Sequence, residues 1–151
     1  VKITNLCFKQ FVVVFWFLWW VCALWTDIIG AVAHFGNFQA SWAPDINYPY
    51  LVKAVAMYNV VELVPIILYA GIILLSGISC ILFFRAVISL TKPYEIWMKK
   101  AQSAFIFTLG FWILFFLADQ IVMKYMEEQN HMVQGGFELL TYLALYILPN
   151  E

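Results

Sequence analysis

The sequence predicts an all-α integral membrane protein: a four-helix bundle with both ends of the chain on the cytoplasmic side and one longer outer loop. Three observations predict it. Of 151 residues, 65% are hydrophobic and 11% charged, and the mean hydropathy is +0.87. A soluble domain is about 45–50% apolar and about 25% charged, and a chain of this size has too little interior to hide the excess. The apolar residues also gather in runs close to the roughly 20 residues a helix needs to cross about 30 Å of hydrocarbon. Finally, Lys and Arg fall unevenly on the segments between the runs. A β reading fails, because the runs show no sustained two-residue alternation and four strands cannot close a membrane barrel.

Residues 1–151 read as a single transmembrane domain with spans at about 10–30, 63–84, 101–122 and 130–148. The first run, "FVVVFWFLWWVCALWT", continues past Asp27 to about Gly30. It is too long for a signal sequence, and no small-residue cleavage site follows it. Its tryptophans, Trp16, Trp19 and Trp20, are expected to pack against lipid or other helices. The outer loop, about 31–60, carries Pro44 and Pro49 beside Asp45 and Asn47, residues that favour turns. Residues 50–59 then read as a short helix, and with Trp42, Tyr48 and Tyr50 the loop is expected to lie as a lid on the outer surface. The second span, "LVPIILYAGIILLSGISCILFF", has no charge. Glu62 precedes its Pro65, which places the acid in the first helical turn, where the helix dipole favours it.

The inner loop "RAVISLTKPYEIWMKK" is basic and aromatic. Lys92, Trp97, Lys99 and Lys100 are expected to anchor at lipid headgroups. The third span starts near Ala101, and Asp119, one turn before Lys124, is expected close to the outer headgroups. The fourth span carries an acid. Only nine uncharged residues follow Glu138 before Leu148, so twenty residues counted back from Leu148 must include that acid. At 1.5 Å per residue, Glu138 then lies about 15 Å from the inner boundary, near the midplane. A re-entrant or interfacial helix is the alternative for this segment.

With four spans, one side holds Lys2, Lys9, Arg85, Lys92, Lys99 and Lys100, and the other only Lys53 and Lys124. The positive-inside rule puts the first set in the cytoplasm. The acids lean the other way: of nine, only Glu95 and Glu151 are expected inside.

An acid near the midplane is costly, about 2.5–3.5 kcal/mol for a central Asp on insertion scales. The Glu138 carboxyl is therefore expected to be protonated or hydrogen-bonded toward other helices. Gln134, Glu138, Thr141 and Leu145 share a helical face, so this polar stripe should point into protein, with Gly135 and Gly136 beside it letting another backbone approach. Asp27, His34, Glu62, Asp119, His131 and Glu138 are expected in the outer half of the bundle. Gathered there, carboxylates and imidazoles would suit a divalent metal or a proton relay. The alternative is that they only tie helices together. No ExxH or HExxH spacing supports a metal, and neither a metal nor another cofactor is expected. Cys7, Cys22 and Cys80 have no zinc spacing, and Cys22 and Cys80 are expected to be small buried side chains. A small-residue face on the second span, Ser76, Ser79 and Cys80, should pack closely. No P-loop, GxSxG or dinucleotide fingerprint occurs, and a net charge of -1 speaks against nucleic acid.

On "WTDIIGAVAHFG", "SWAPDINYPY" and "DQIVMKYMEEQNHMVQGGFELLTYLALY", the layout resembles a group of small four-helix bacterial inner-membrane proteins of uncharacterised role. The likeness covers most of the chain and implies a bacterial inner-membrane location and four spans, but no activity. The soluble parts are too short for an enzyme domain. The expected role is that of a non-catalytic accessory subunit of a larger respiratory or transport complex, with membrane lipids and other integral membrane subunits as partners. Two alternatives are a small proton-coupled carrier using Glu138 and a membrane redox or metal enzyme using the outer acids and histidines.

Overall fold

The computed structural model describes residues 4–36 and 40–150. Lys2 and Glu151, which entered the charge comparison, lie outside the described residues. The described residues form five α-helices and no strand: α1 (Asn5–Phe35), α2 (Asn47–Val55), α3 (Leu63–Val87), α4 (Tyr94–Ile121) and α5 (Tyr125–Ile147), with a 3-10 turn, Ala56–Tyr58, after α2. Three of them, α1, α3 and α4, are long and apolar enough to cross a membrane. The chain divides into two compact units, one of residues up to Trp19 with those from Ser79 onward, the other Trp20–Ile78.

Helix ends follow local chemistry. Pro93 caps α4 with φ -49° and ψ 148°, an extended conformation that prevents helix from continuing back through it. Pro65 sits in the first turn of α3, where its missing N–H costs nothing. Glu62 is exposed and lies one residue ahead of α3 instead of within its first turn. Helix α1 runs through Gly30 to Phe35, so His34 falls in its last turn.

In the first unit α4 and α5 form an antiparallel hairpin. Their junction is a Schellman motif: Met123 takes the left-handed conformation (φ 56°), its N–H bonds to the Gln120 carbonyl (3.3 Å), and Lys124 N–H to the Asp119 carbonyl (2.9 Å). The hairpin packs closely because of Gly135. A Cβ there would come within 2.8 Å of the Phe116 ring and 3.1 Å of Trp112. Gly136, expected to share this role, has nothing within 4 Å of its would-be Cβ.

The buried line of α5 runs Gly135, Glu138, Leu145, with Thr141 and Tyr142 partly covered between them. Gln134 is exposed, against the expectation that it shares the inward stripe. At about 100° per residue the line that holds Gly135 and Glu138 turns Gln134 outward. On α4 the buried residues include Trp97, Ala101, Ala104, Phe105, Thr108, Phe111 and Trp112. Trp97 is 1% exposed and meets Tyr94 edge-on at 5.2 Å, so it is a core residue and not a headgroup anchor. Lys92 and Lys99 are exposed and Lys100 is partly covered.

From α1 this unit takes Lys9, Val12, Val13 and Trp16, all buried. Lys9 donates to Asn150 Oδ1 at 2.7 Å and lies 5.3 Å from the Tyr94 ring centre, which lets an ammonium sit inside protein. Cys80 is buried as expected, whereas Cys22 is exposed.

The second unit contains the later part of α1, α2, the 3-10 turn and the first part of α3. Helix α2 turns Tyr48, Ala54 and Val55 inward, while Trp42 and Tyr50 are exposed. Asn59 closes the 3-10 turn in the left-handed region (φ 48°), with its N–H on the Ala56 carbonyl.

Candidate functional site

Helix packing gathers two polar clusters, one in each unit. In the first, Glu138 is 0% exposed. Its Oε2 accepts a hydrogen bond from Trp112 Nε1 at 2.6 Å, and its Oε1 accepts from the Thr108 hydroxyl. Both donors are on α4, so the carboxyl group bridges the hairpin. Thr108 Oγ1 also lies 3.0 Å from the Ala104 carbonyl and 3.2 Å from that of Phe105, the usual positions for a threonine on a helix.

One turn further along α5, Thr141 Oγ1 accepts from Trp16 Nε1 of α1 at 2.8 Å and donates to the Glu138 carbonyl at 2.9 Å. Three helices therefore meet through one connected set of polar groups.

Seven residues before Glu138, His131 Nδ1 meets Asp119 Oδ2 at 2.5 Å. Asp119 is 7% exposed, so it is covered by protein. The imidazole stacks on Phe115 at 4.6 Å, and the Trp112 ring lies 5.9 Å away. Trp112 thus neighbours both polar groups, with its N–H on Glu138 and its ring 5.9 Å from the imidazole, tilted by 42°.

In the second unit Asp27 joins three helices. Its Oδ1 accepts from Asn47 Nδ2 of α2 at 3.2 Å, and its Oδ2 from Ser76 Oγ of α3 at 3.3 Å. Tyr69 of α3 donates its hydroxyl proton to the Asp27 carbonyl oxygen at 2.8 Å. Gly30 makes room for that phenol: a Cβ there would stand 2.9 Å from the Tyr69 hydroxyl oxygen. His34 pairs with Asp45 at 2.7 Å and packs against the Tyr48 ring at 4.4 Å. His34, Tyr48, Lys53 and Glu62 help line a groove of about 620 Å³.

The acids and histidines singled out from sequence fall in both units. Asp119, His131, Glu138 and Thr141 belong to the first unit; Asp27, His34 and Glu62 to the second; Gln134 joins neither cluster. Among the described residues no three of His, Cys, Asp and Glu come close enough together to hold a metal ion.

The partners that complete the clusters were harder to foresee. Thr108, Trp112 and Trp16 look like ordinary members of apolar runs. The one legible hint was a hydroxyl in the middle of the third span. Ser76 reads in the sequence as a packing residue, and Asp45 and Asn47 as turn formers, but nothing in their spacing ties them to His34 or Asp27.

Comparison of the chain with protein-family models, with curated proteins and with solved structures gives no match.

Proposed function

We propose that this protein is a multi-pass accessory subunit of a bacterial inner membrane. In this reading four helices cross the bilayer as one bundle, both ends of the chain face the cytoplasm, and the bundle stabilises helix packing in a larger respiratory or transport complex. The observation that carries the reading is the contrast between the polar and apolar side chains. Glu138, the acid that would lie deepest, gives both carboxyl oxygens to donors on the neighbouring helix. Meanwhile Phe11, Leu18, Trp25 and Val32 leave one long face of α1 exposed, and Val133, Leu140 and Ile147 do the same on α5. Such faces suit lipid and the helices of neighbouring subunits.

Helix α5 serves as the fourth span. Its 23 residues reach about 34 Å at 1.5 Å per residue, enough for the hydrocarbon core. Internal hydrogen bonding lowers the cost of carrying Glu138 to that depth.

Gentle detergent extraction followed by native mass measurement tests the proposal. The chain should travel with other membrane polypeptides in fixed proportion. Migration alone, or only with copies of itself, defeats the reading.

A second reading, a small proton-coupled carrier working through Glu138, is favoured by the Asp119–His131 pair, whose histidine lies one heptad before Glu138 on α5. Under it, Glu138→Gln abolishes proton-coupled uptake in vesicles while assembly is retained. Under the accessory reading the reconstituted chain shows no such uptake.

A further inference from the structure

Between α2 and α3 the backbone folds back on itself. The 3-10 turn Ala56–Tyr58 ends at Asn59 in the left-handed region (φ 48°), and α3 begins at Leu63 with Pro65 in its first turn. The groove of about 620 Å³ lies in this corner, with Val52, Val55, Val60, Pro65 and Ile66 as its apolar lining. Its volume falls within the about 300–1,000 Å³ of sites that hold small molecules. The whole lining belongs to the second unit.

We infer that this groove binds one phospholipid with a primary-ammonium headgroup, the chemistry of phosphatidylethanolamine. The lipid phosphate is held by the Lys53 ammonium and the Asn59 side-chain amide, and the headgroup ammonium by the Glu62 carboxylate. Three observations support it. The first is charge. Lys53 and Glu62 line the same groove, and neither ion pair among the described residues includes them. A ligand that carries both signs of charge complements both. The second is depth. His34 lines the groove from the last turn of α1 and Pro65 from the first turn of α3, and both helices are long and apolar enough to cross a membrane. A groove at the ends of two spans lies level with the headgroups; this placement rests on the multi-pass reading proposed above. The third is continuity. Beside Ile66, Ile67 and Leu74 stand seven residues apart on one face of α3, 60% and 64% exposed. Acyl chains leaving the groove meet that apolar face, which selects a lipid over a water-soluble zwitterion.

The lining also selects the headgroup. Among the described lining residues Tyr48 alone offers a phenol or indole ring, whereas a quaternary ammonium is held by a cage of several. A primary ammonium instead donates charge-assisted hydrogen bonds, which a carboxylate accepts. An uncharged glycerol headgroup brings no cation, and its net negative lipid is repelled by Glu62.

The test uses the full chain, washed free of lipid in detergent, and native mass measurement with phosphatidylethanolamine, phosphatidylcholine and phosphatidylglycerol of identical acyl chains. The unaltered chain should take up one phosphatidylethanolamine saturably, severalfold more tightly than either other lipid. Lys53→Gln should weaken that binding severalfold. Glu62→Gln should weaken phosphatidylethanolamine yet tighten phosphatidylglycerol, a reversal that misfolding does not produce. If a variant fails to fold, the ranking of the lipids on the unaltered chain still decides. Equal binding of the three lipids, or a preference for either of the others, overturns the proposal. So does unchanged binding in Lys53→Gln, a preference that persists in Glu62→Gln, or displacement of the lipid by soluble glycerophosphoethanolamine at equal concentration. A chain that migrates without other polypeptides yet selects phosphatidylethanolamine defeats the accessory reading and leaves this one standing.

Discussion

Glu138 meets two donors of different shape, and each demands something different of a replacement. Trp112 Nε1 needs an acceptor, while Thr108 Oγ1 can either give or take a proton. Glutamine supplies both an acceptor and a donor at nearly the same volume. Glu138→Gln should therefore cost no more than about 1 kcal/mol, the scale of a single exchanged hydrogen bond. Glu138→Ala leaves a cavity and an indole N–H facing it, with an expected loss of about 2–5 kcal/mol. Thermal melting of both variants in detergent checks this, and equal losses would show that the carboxyl group does not brace the hairpin. That this acid would turn into protein could be read from sequence, because it is a carboxyl group among apolar residues of the last helix. Its partners could not, since nothing in an apolar run distinguishes the tryptophan that faces an acid from one that faces lipid.

Two adjacent glycines separate packing from propensity at the scale of the helix. Gly135 lies against Trp112 and Phe116, whereas Gly136 faces open space. Gly136→Ala should be neutral or gain up to about 1 kcal/mol from helix propensity. Gly135→Val should push α5 off α4 and lower the melting temperature clearly; overpacking of this kind costs about 1–3 kcal/mol. Similar melting for the two variants would contradict the close approach of α4 and α5. The sequence marked both glycines as a pair. Only the phase of the buried line, which also turns Gln134 outward, tells them apart. Trp97 teaches the same lesson: an aromatic beside lysines at a span end reads as an interfacial anchor, yet its helix rotates it into the core.

For the molecule as a whole, the orientation proposed from Lys and Arg makes a prediction about the loops. Single cysteines placed at Lys92, between α3 and α4, and at Lys53, on α2, should label from opposite sides of the membrane, with Lys92 reached only from the cytoplasm. These experiments use a background in which Cys7, Cys22 and Cys80 are replaced. Labelling of both positions from one side would remove the four-span arrangement and with it the depth assigned to Glu138.

The sequence by itself determined the helical class, the three long apolar helices and the few polar residues set among them. Those follow from local composition, because long apolar runs without two-residue alternation favour helix. Only the tertiary structure decided which polar residues pair, that Asp27 meets Asn47 and Ser76 while Glu138 meets Thr108 and Trp112. The physical reason is rotation. A helix that is apolar all round carries almost no signal of which face turns inward, so packing against its neighbours, not periodicity, sets the partners of each buried polar group.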